Sequence, residues 1–132
     1  NEDQIRAAHH LNFVKMPPLA EEMIQDRINA KTADWFEDYA IVREKAVKGM
    51  LDHPVRDSLK SIQYKTYVLF GTNDKLIPNP YLHPELTTLQ VANIGKEIPE
   101  AEIMMIEEAG HILQVDNPSS FNKLLKTILT KY

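Results

Sequence analysis

The chain has 132 residues, 43% hydrophobic and 26% charged, which suits one soluble domain or part of a larger one. A net charge of −4 offers no basic face for nucleic acid, and the absence of cysteine excludes disulfides and thiolate metal sites. No apolar run approaches the roughly 20 residues of a membrane span, so none is expected.

No signal peptide is visible, and the compartment is left open with the cytoplasm as the default. The chain begins with Asn1 rather than Met, and we expect its true beginning to lie elsewhere, through processing or truncation.

The first part reads as helical. Ile5, Ala8 and His9 start a weak amphipathic pattern that ends near Phe13, and Pro17-Pro18 breaks it. A second helix is expected from about Ala20 to Ala30, with Met23, Ile24 and Ile28 on one face. A third carries Trp35, Phe36, Tyr39, Ala40, Arg43, Ala46, Val47 and Met50 at helical spacing. Lys45 and Lys48 are expected in its last turns, where cations suit the helix dipole.

From Gly49 to Ile62 the sequence reads as a loop. Thr66 to Gly71, "TYVLFG", is short, apolar and β-branched, as in a parallel strand buried on both faces. A loop with two prolines follows, then a helix from Pro84 to about Ile98 with Leu86, Leu89, Val91 and Ile94 as its apolar members. Ala101 to Glu107, "AEIMMIE", is a second buried-strand candidate. Asn117 reads as an N-cap with Pro118 in the first helical position. Phe121, Leu124, Leu125, Ile128, Leu129 and Tyr132 give the last helix an apolar stripe.

The second half is thus strand, helix, strand, helix, and the two strands should be parallel with a right-handed crossover. Both strands would then end on one edge of the sheet, where ligands and catalytic groups collect. The loop after the first strand carries Asp74. The loop after the second carries His111, at a corner behind Gly110. Neighbouring strands lie roughly 5 Å apart, so the carboxylate and the imidazole can meet. An aspartate on one ring nitrogen fixes the tautomer and leaves the other nitrogen to accept a proton from a nucleophile.

"YKTYVLFGTNDKLIP" followed by "IPEAEIMMIEEAGHILQVDNPSSFNKLL" resembles the C-terminal segment of the α/β-hydrolase superfamily. Gly71, Asp74, Pro78, Gly110, His111, Asp116, Pro118 and Phe121 match its pattern over about residues 62 to 132. The resemblance implies that Asp74 is the triad acid and His111 the triad base. The helical first half resembles the lid of the same superfamily. "IRAAHHLNFVKMPPLAEEMIQDRINA" is similar to the lids of carbon–carbon bond hydrolases that cut ring-fission products, though those usually carry Trp where Ile112 stands. The expected architecture is α/β: a helical lid over residues 1–51, then the C-terminal part of a hydrolase core over residues 52–132, in a mostly parallel sheet.

The family nucleophile stands in G-x-S-x-G. Gly49, Gly71, Gly95 and Gly110 frame no serine, and Ser58, Ser61, Ser119 and Ser120 lack that context. The resemblance therefore implies that this chain is the C-terminal half of a larger hydrolase. Its partner would be an N-terminal half with the nucleophile elbow, the oxyanion hole and the rest of the sheet. The expected activity is hydrolysis of an ester, a carbon–carbon bond or a related carbonyl-containing small molecule, without cofactor or metal.

Other readings stand beside this one. An aspartate nucleophile would make the intact protein a dehalogenase or epoxide hydrolase. A non-catalytic ligand-binding protein could use the same fold, or the chain could be a small helical interaction module. Asp74 could be a turn residue capping its own loop, with Asp52 or Asp57 as substitute acids. His9 and His10 diverge by about 100° on a helix and read as lid surface or packing, not metal ligands.

Overall fold

The computed structural model describes residues 1–131. Three helices come first: α1 Glu2–His10, α2 Pro18–Ala30 and α3 Phe36–Asp52. A 3-10 turn at Arg56–Ser61 leads into β1 Tyr67–Gly71, and α4 Thr88–Ala92 continues as a 3-10 turn at Asn93–Glu97. Then come β2 Glu102–Ile106, the single-turn α5 Leu113–Asp116 and α6 Pro118–Leu129. The result is a mixed α/β chain with a small two-stranded sheet.

The strands pair in parallel, as the intervening helix requires, with Tyr67 opposite Glu102 and Gly71 opposite Ile106. Their C-terminal ends share one rim. Thr72 N–H donates to Ile106 O at 3.0 Å and Asn73 N–H to Ala109 O at 2.9 Å, so the two rim loops are joined. Gly71 is required at this junction. A Cβ there would lie 2.2 Å from Ala109 O and 2.4 Å from Gly110 O, both backbone atoms.

The last helix starts where expected. Asn117 Oδ1 accepts from Ser120 N–H at 3.1 Å, and Pro118 occupies the first turn, where a missing N–H costs nothing. Phe121, Leu124 and Ile128 are half-buried, while Leu125 and Leu129 stay exposed. Tyr132, the last expected member of the stripe, lies outside the described residues.

Several expectations are corrected. The second helix starts at Pro18, two residues early, because Pro fits its first position. The third helix continues past Gly49 to Asp52, so Lys45 and Lys48 precede its last turn, and Lys48 pairs with Asp52 instead. The stretch read as a loop from Gly49 to Ile62 is therefore helix end plus a 3-10 turn. Pro84 does not open a helix. Thr87 does, through a capping box in which its hydroxyl faces Gln90 N–H and the Gln90 side chain accepts from Thr87 N–H at 2.8 Å.

Burial departs most from expectation. Both strands are only half-buried up to their last residues, Gly71 and Ile106, and α3 buries none of its residues. Val42, Met50 and Leu51 are more than 60% exposed. Among the described residues the buried apolar side chains are Phe13 with Ala20 and Ile24 of α2 in the helical half, and Ala92, Ile98, Ile106 and Ala109 in the half that carries the sheet. The chain exposes 9763 Å², whereas a compact monomer of its 15.2 kDa would expose about 7,100 Å².

Candidate active site

The rim brings Asp74 and His111 together. Asp74 lies three residues beyond the end of β1, and its side chain is 3% exposed. Its two oxygens have different partners. Oδ1 accepts from Leu76 N–H at 2.8 Å and Ile77 N–H at 3.0 Å, which is an Asx-type loop cap. Oδ2 lies 3.0 Å from His111 Nδ1. The turn reading and the paired reading of Asp74 both hold, one on each oxygen.

The loop amides fix the carboxylate's rotamer, so its second oxygen is presented to the imidazole without further ordering. His111 is 41% exposed in its side chain, and its Nε2 has no hydrogen-bond partner among the described residues. A ring held at Nδ1 by a nearly buried carboxylate donates from Nδ1 and keeps Nε2 as the free acceptor. That is the protonation pattern of a general base.

The substitute acids are elsewhere. Asp52 pairs with Lys48, and Asp57 sits in the 3-10 turn before β1. None of the four serines hydrogen-bonds to the imidazole. Ser61 Oγ donates to Ser58 O, and Ser119 and Ser120 are exposed in the first turn of α6. His9 Nδ1 lies 2.8 Å from its own helix at Ile5 O. Among the described residues no cluster of His, Asp or Glu could hold a metal ion, and no helix is long and apolar enough to cross a membrane.

One concavity holds the pair and a second lies among the first three helices. One of about 220 Å³ contains both groups with Leu69, Phe70, Ile77 and Leu113 around them. The other, of about 670 Å³, lies among α1, α2 and α3 and reaches the loop after β1 at Leu76. Its walls carry Arg27, Lys31 and Arg43 and no carboxylate side chain. Arg27 stacks over Tyr39 at 4.7 Å and Phe36 at 5.4 Å from the ring centroids, which holds it against the aromatic wall. Phe36 and Tyr39 of the apolar stripe on α3 thus face a cavity. Arg27 and Lys31 were missed, although they stand four residues apart, the spacing that shares a helix face.

Sequence reasoning also missed the contacts that seat the histidine loop on the helical segment. Asn12 O accepts from His111 N–H at 2.9 Å, and Asp116 Oδ1 accepts from Val14 N–H at 3.1 Å. A backbone carbonyl so distant in sequence leaves no local signal.

Comparison of the chain with protein-family models, with curated proteins and with solved structures gives no match.

Proposed function

We propose that the chain is the C-terminal half of an α/β hydrolase, with His111 as general base and Asp74 as the acid that orients it. The nucleophile would come from an N-terminal half of the same protein. The observation that carries this reading is the 3.0 Å contact between His111 Nδ1 and Asp74 Oδ2 at the C-terminal rim of two parallel strands. In the proposed reaction His111 Nε2 takes the proton of the nucleophile's hydroxyl as that oxygen attacks a carbonyl carbon. Asp74 stabilises the imidazolium that forms. The imidazolium then returns the proton to the leaving group, and water completes hydrolysis.

The uncovered surface supports the second half of the proposal. The excess of roughly 2,700 Å² over a compact monomer is on the scale of an obligate interface. Two half-buried strands with open edges ask for further strands beside them. The cationic cavity beside Leu76 favours a small substrate with an anionic group and an apolar or aromatic body.

The test is fluorophosphonate labelling of the intact gene product, with and without His111→Ala. Labelling of a serine that drops at least a hundredfold in the variant supports the reading. Ligand binding without labelling would make it a binding protein. An aspartate in the nucleophile position would make it a dehalogenase or epoxide hydrolase using the same pair.

A further inference from the structure

Three consecutive amides surround the proposed base, and all three are tied down. Gly110 N–H donates to Asp116 Oδ2 at 2.7 Å. His111 N–H and Ile112 N–H donate to Asn12 O at 2.9 and 3.3 Å. Asp116 also accepts from Val14 N–H, at 3.1 Å from Oδ1 and 3.2 Å from Oδ2. Between the two anchor points on the helical segment lies Phe13, 1% exposed. The segment Asn12–Val14 and the histidine loop are therefore joined through two acceptors, one from each side: the Asn12 carbonyl and the Asp116 carboxylate.

Gly110 gives independent support. Its φ is not positive, so no left-handed backbone requires glycine there. Close approach does. A Cβ would lie 2.8 Å from Asp116 Oδ2, 2.9 Å from Asn12 O and 3.3 Å from Phe13 C. The loop and the helical segment meet too closely for any side chain. The opposite face of the same corner is closed by Gly71 against Ala109 and Gly110. The backbone leading into His111 is held between the sheet rim and the Asp116 clamp.

We propose that Asp116 is a positioning residue for His111, and that the imidazole holds its place on Asp74 only while the segment Asn12–Val14 is docked. The proposal rests on the reading of His111 as the base and adds a route by which the helical region controls it. Asp116 hydrogen-bonds to neither Asp74 nor the imidazole. It acts through the Gly110 amide and through the segment that carries the Asn12 carbonyl. Charge-assisted bonds to backbone N–H groups are among the stronger ones available to a loop, which suits a part-buried carboxylate for this task.

The test is nitrogen-15 histidine NMR on the intact gene product, comparing wild type with Asp116→Asn and Asp116→Ala. Asn keeps the shape of the side chain but turns one of its acceptors into a donor. The readouts are the exchange of the His111 Nδ1 proton with water and the exchange of the backbone amides of Gly110, Val14 and Glu102. Glu102 N–H bonds Thr66 O at the far end of the sheet and reports on global opening. The expected result is at least tenfold faster exchange at His111 Nδ1, Gly110 and Val14, with Glu102 unchanged. Unchanged His111 exchange, or an equal rise at all four positions, would reduce Asp116 to a structural residue and overturn the proposal. A wild-type imidazole with no protected Nδ1 proton would remove the base assignment itself, and this inference with it.

Discussion

Asp74→Asn separates an orienting role for Asp74 from a purely structural one. In the wild-type loop Oδ1 accepts two backbone N–H groups, from Leu76 and Ile77, and Oδ2 faces His111 Nδ1. A carboxamide must choose. Keeping its oxygen on the two amides preserves both loop bonds and turns its NH2 toward the imidazole. Flipping it would set a donor against two backbone donors. At about 1 kcal/mol per hydrogen bond, the flip costs about 2 kcal/mol, or roughly thirtyfold in population. The variant therefore keeps its loop and presents a donor to Nδ1. The imidazole must answer as an acceptor, which moves its proton to Nε2, the nitrogen that the nucleophile needs free. In the proposed enzyme turnover should fall by three to four powers of ten, at most about 5.4 kcal/mol of barrier, by analogy with the same change in a serine protease. Binding should change little. Nitrogen-15 shifts assign the tautomer directly in the intact protein: Nδ1 protonated in the wild type, Nε2 protonated in the variant. A variant imidazole that still carries its proton on Nδ1, or near-normal turnover by the intact protein, would refute the reasoning.

Three further outcomes follow from local geometry. Gly71→Ala should destabilise the fold by about 3 kcal/mol or more, because the backbone oxygens of Ala109 and Gly110 cannot move aside cheaply; urea unfolding measures it. Asn117→Ala should cost about 1–2 kcal/mol in the same assay, since the side chain caps α6 through Ser120 N–H and also donates to Glu107 O, whereas Asn117→Asp should retain the cap. The contact between α1 and α2 should weaken in acid. The Arg6 guanidinium hydrogen-bonds Glu21 and holds its carboxyl below the usual carboxylate range. A lowered folded value means that this contribution is complete above the unfolded value of about 4.3 and is lost as pH falls through the lowered one. Methyl NMR of Ile24 against pH should show the change, and Arg6→Gln should flatten it.

The parts of the fold that local chemistry dictates were legible. A short apolar run bounded by glycine, a helix and a second such run require a parallel pair, and the pair places Asp74 beside His111. Asn117-Pro118 marked the start of α6 because cap and first-turn preferences coincide there. The start of α4 was also written in the chain, as Thr87 and Gln90 at capping-box spacing, but Pro84 offered a competing start that equally suits a turn. Gly49 suggested an end to α3. A single glycine costs a helix only about 1 kcal/mol, and the residue before Pro54 is the real stop. What no pattern supplied was the partner of each face. The stripe on α3 formed as a helix yet stayed uncovered, because periodicity names the side that wants burial and not what buries it. The clamp at His111 was hidden for a related reason: Val14 and Asp116 are 102 residues apart, and half of its acceptors are main chain.

The exposure of this chain and the chemistry proposed for it have one origin. Parallel strands put all their C-terminal ends on one rim, which is why two loops far apart in sequence can place a carboxylate and an imidazole at 3.0 Å. The same topology leaves an open edge on each strand, and strands this short are not stable as a pair in water. Any strand added in parallel beside β1 or β2 would deliver its own terminal loop to that rim, roughly 5 Å further along for each strand crossed. A nucleophile carried on such a loop would arrive within one or two strand spacings of the pair without any change to Asp74 or His111. Covering the half-buried strands and completing the site are then the same structural event. On this argument a chain that acquires protection at its strand amides on binding a partner should acquire a reactive nucleophile with it, and protection gained without reactivity would separate the fold from the chemistry.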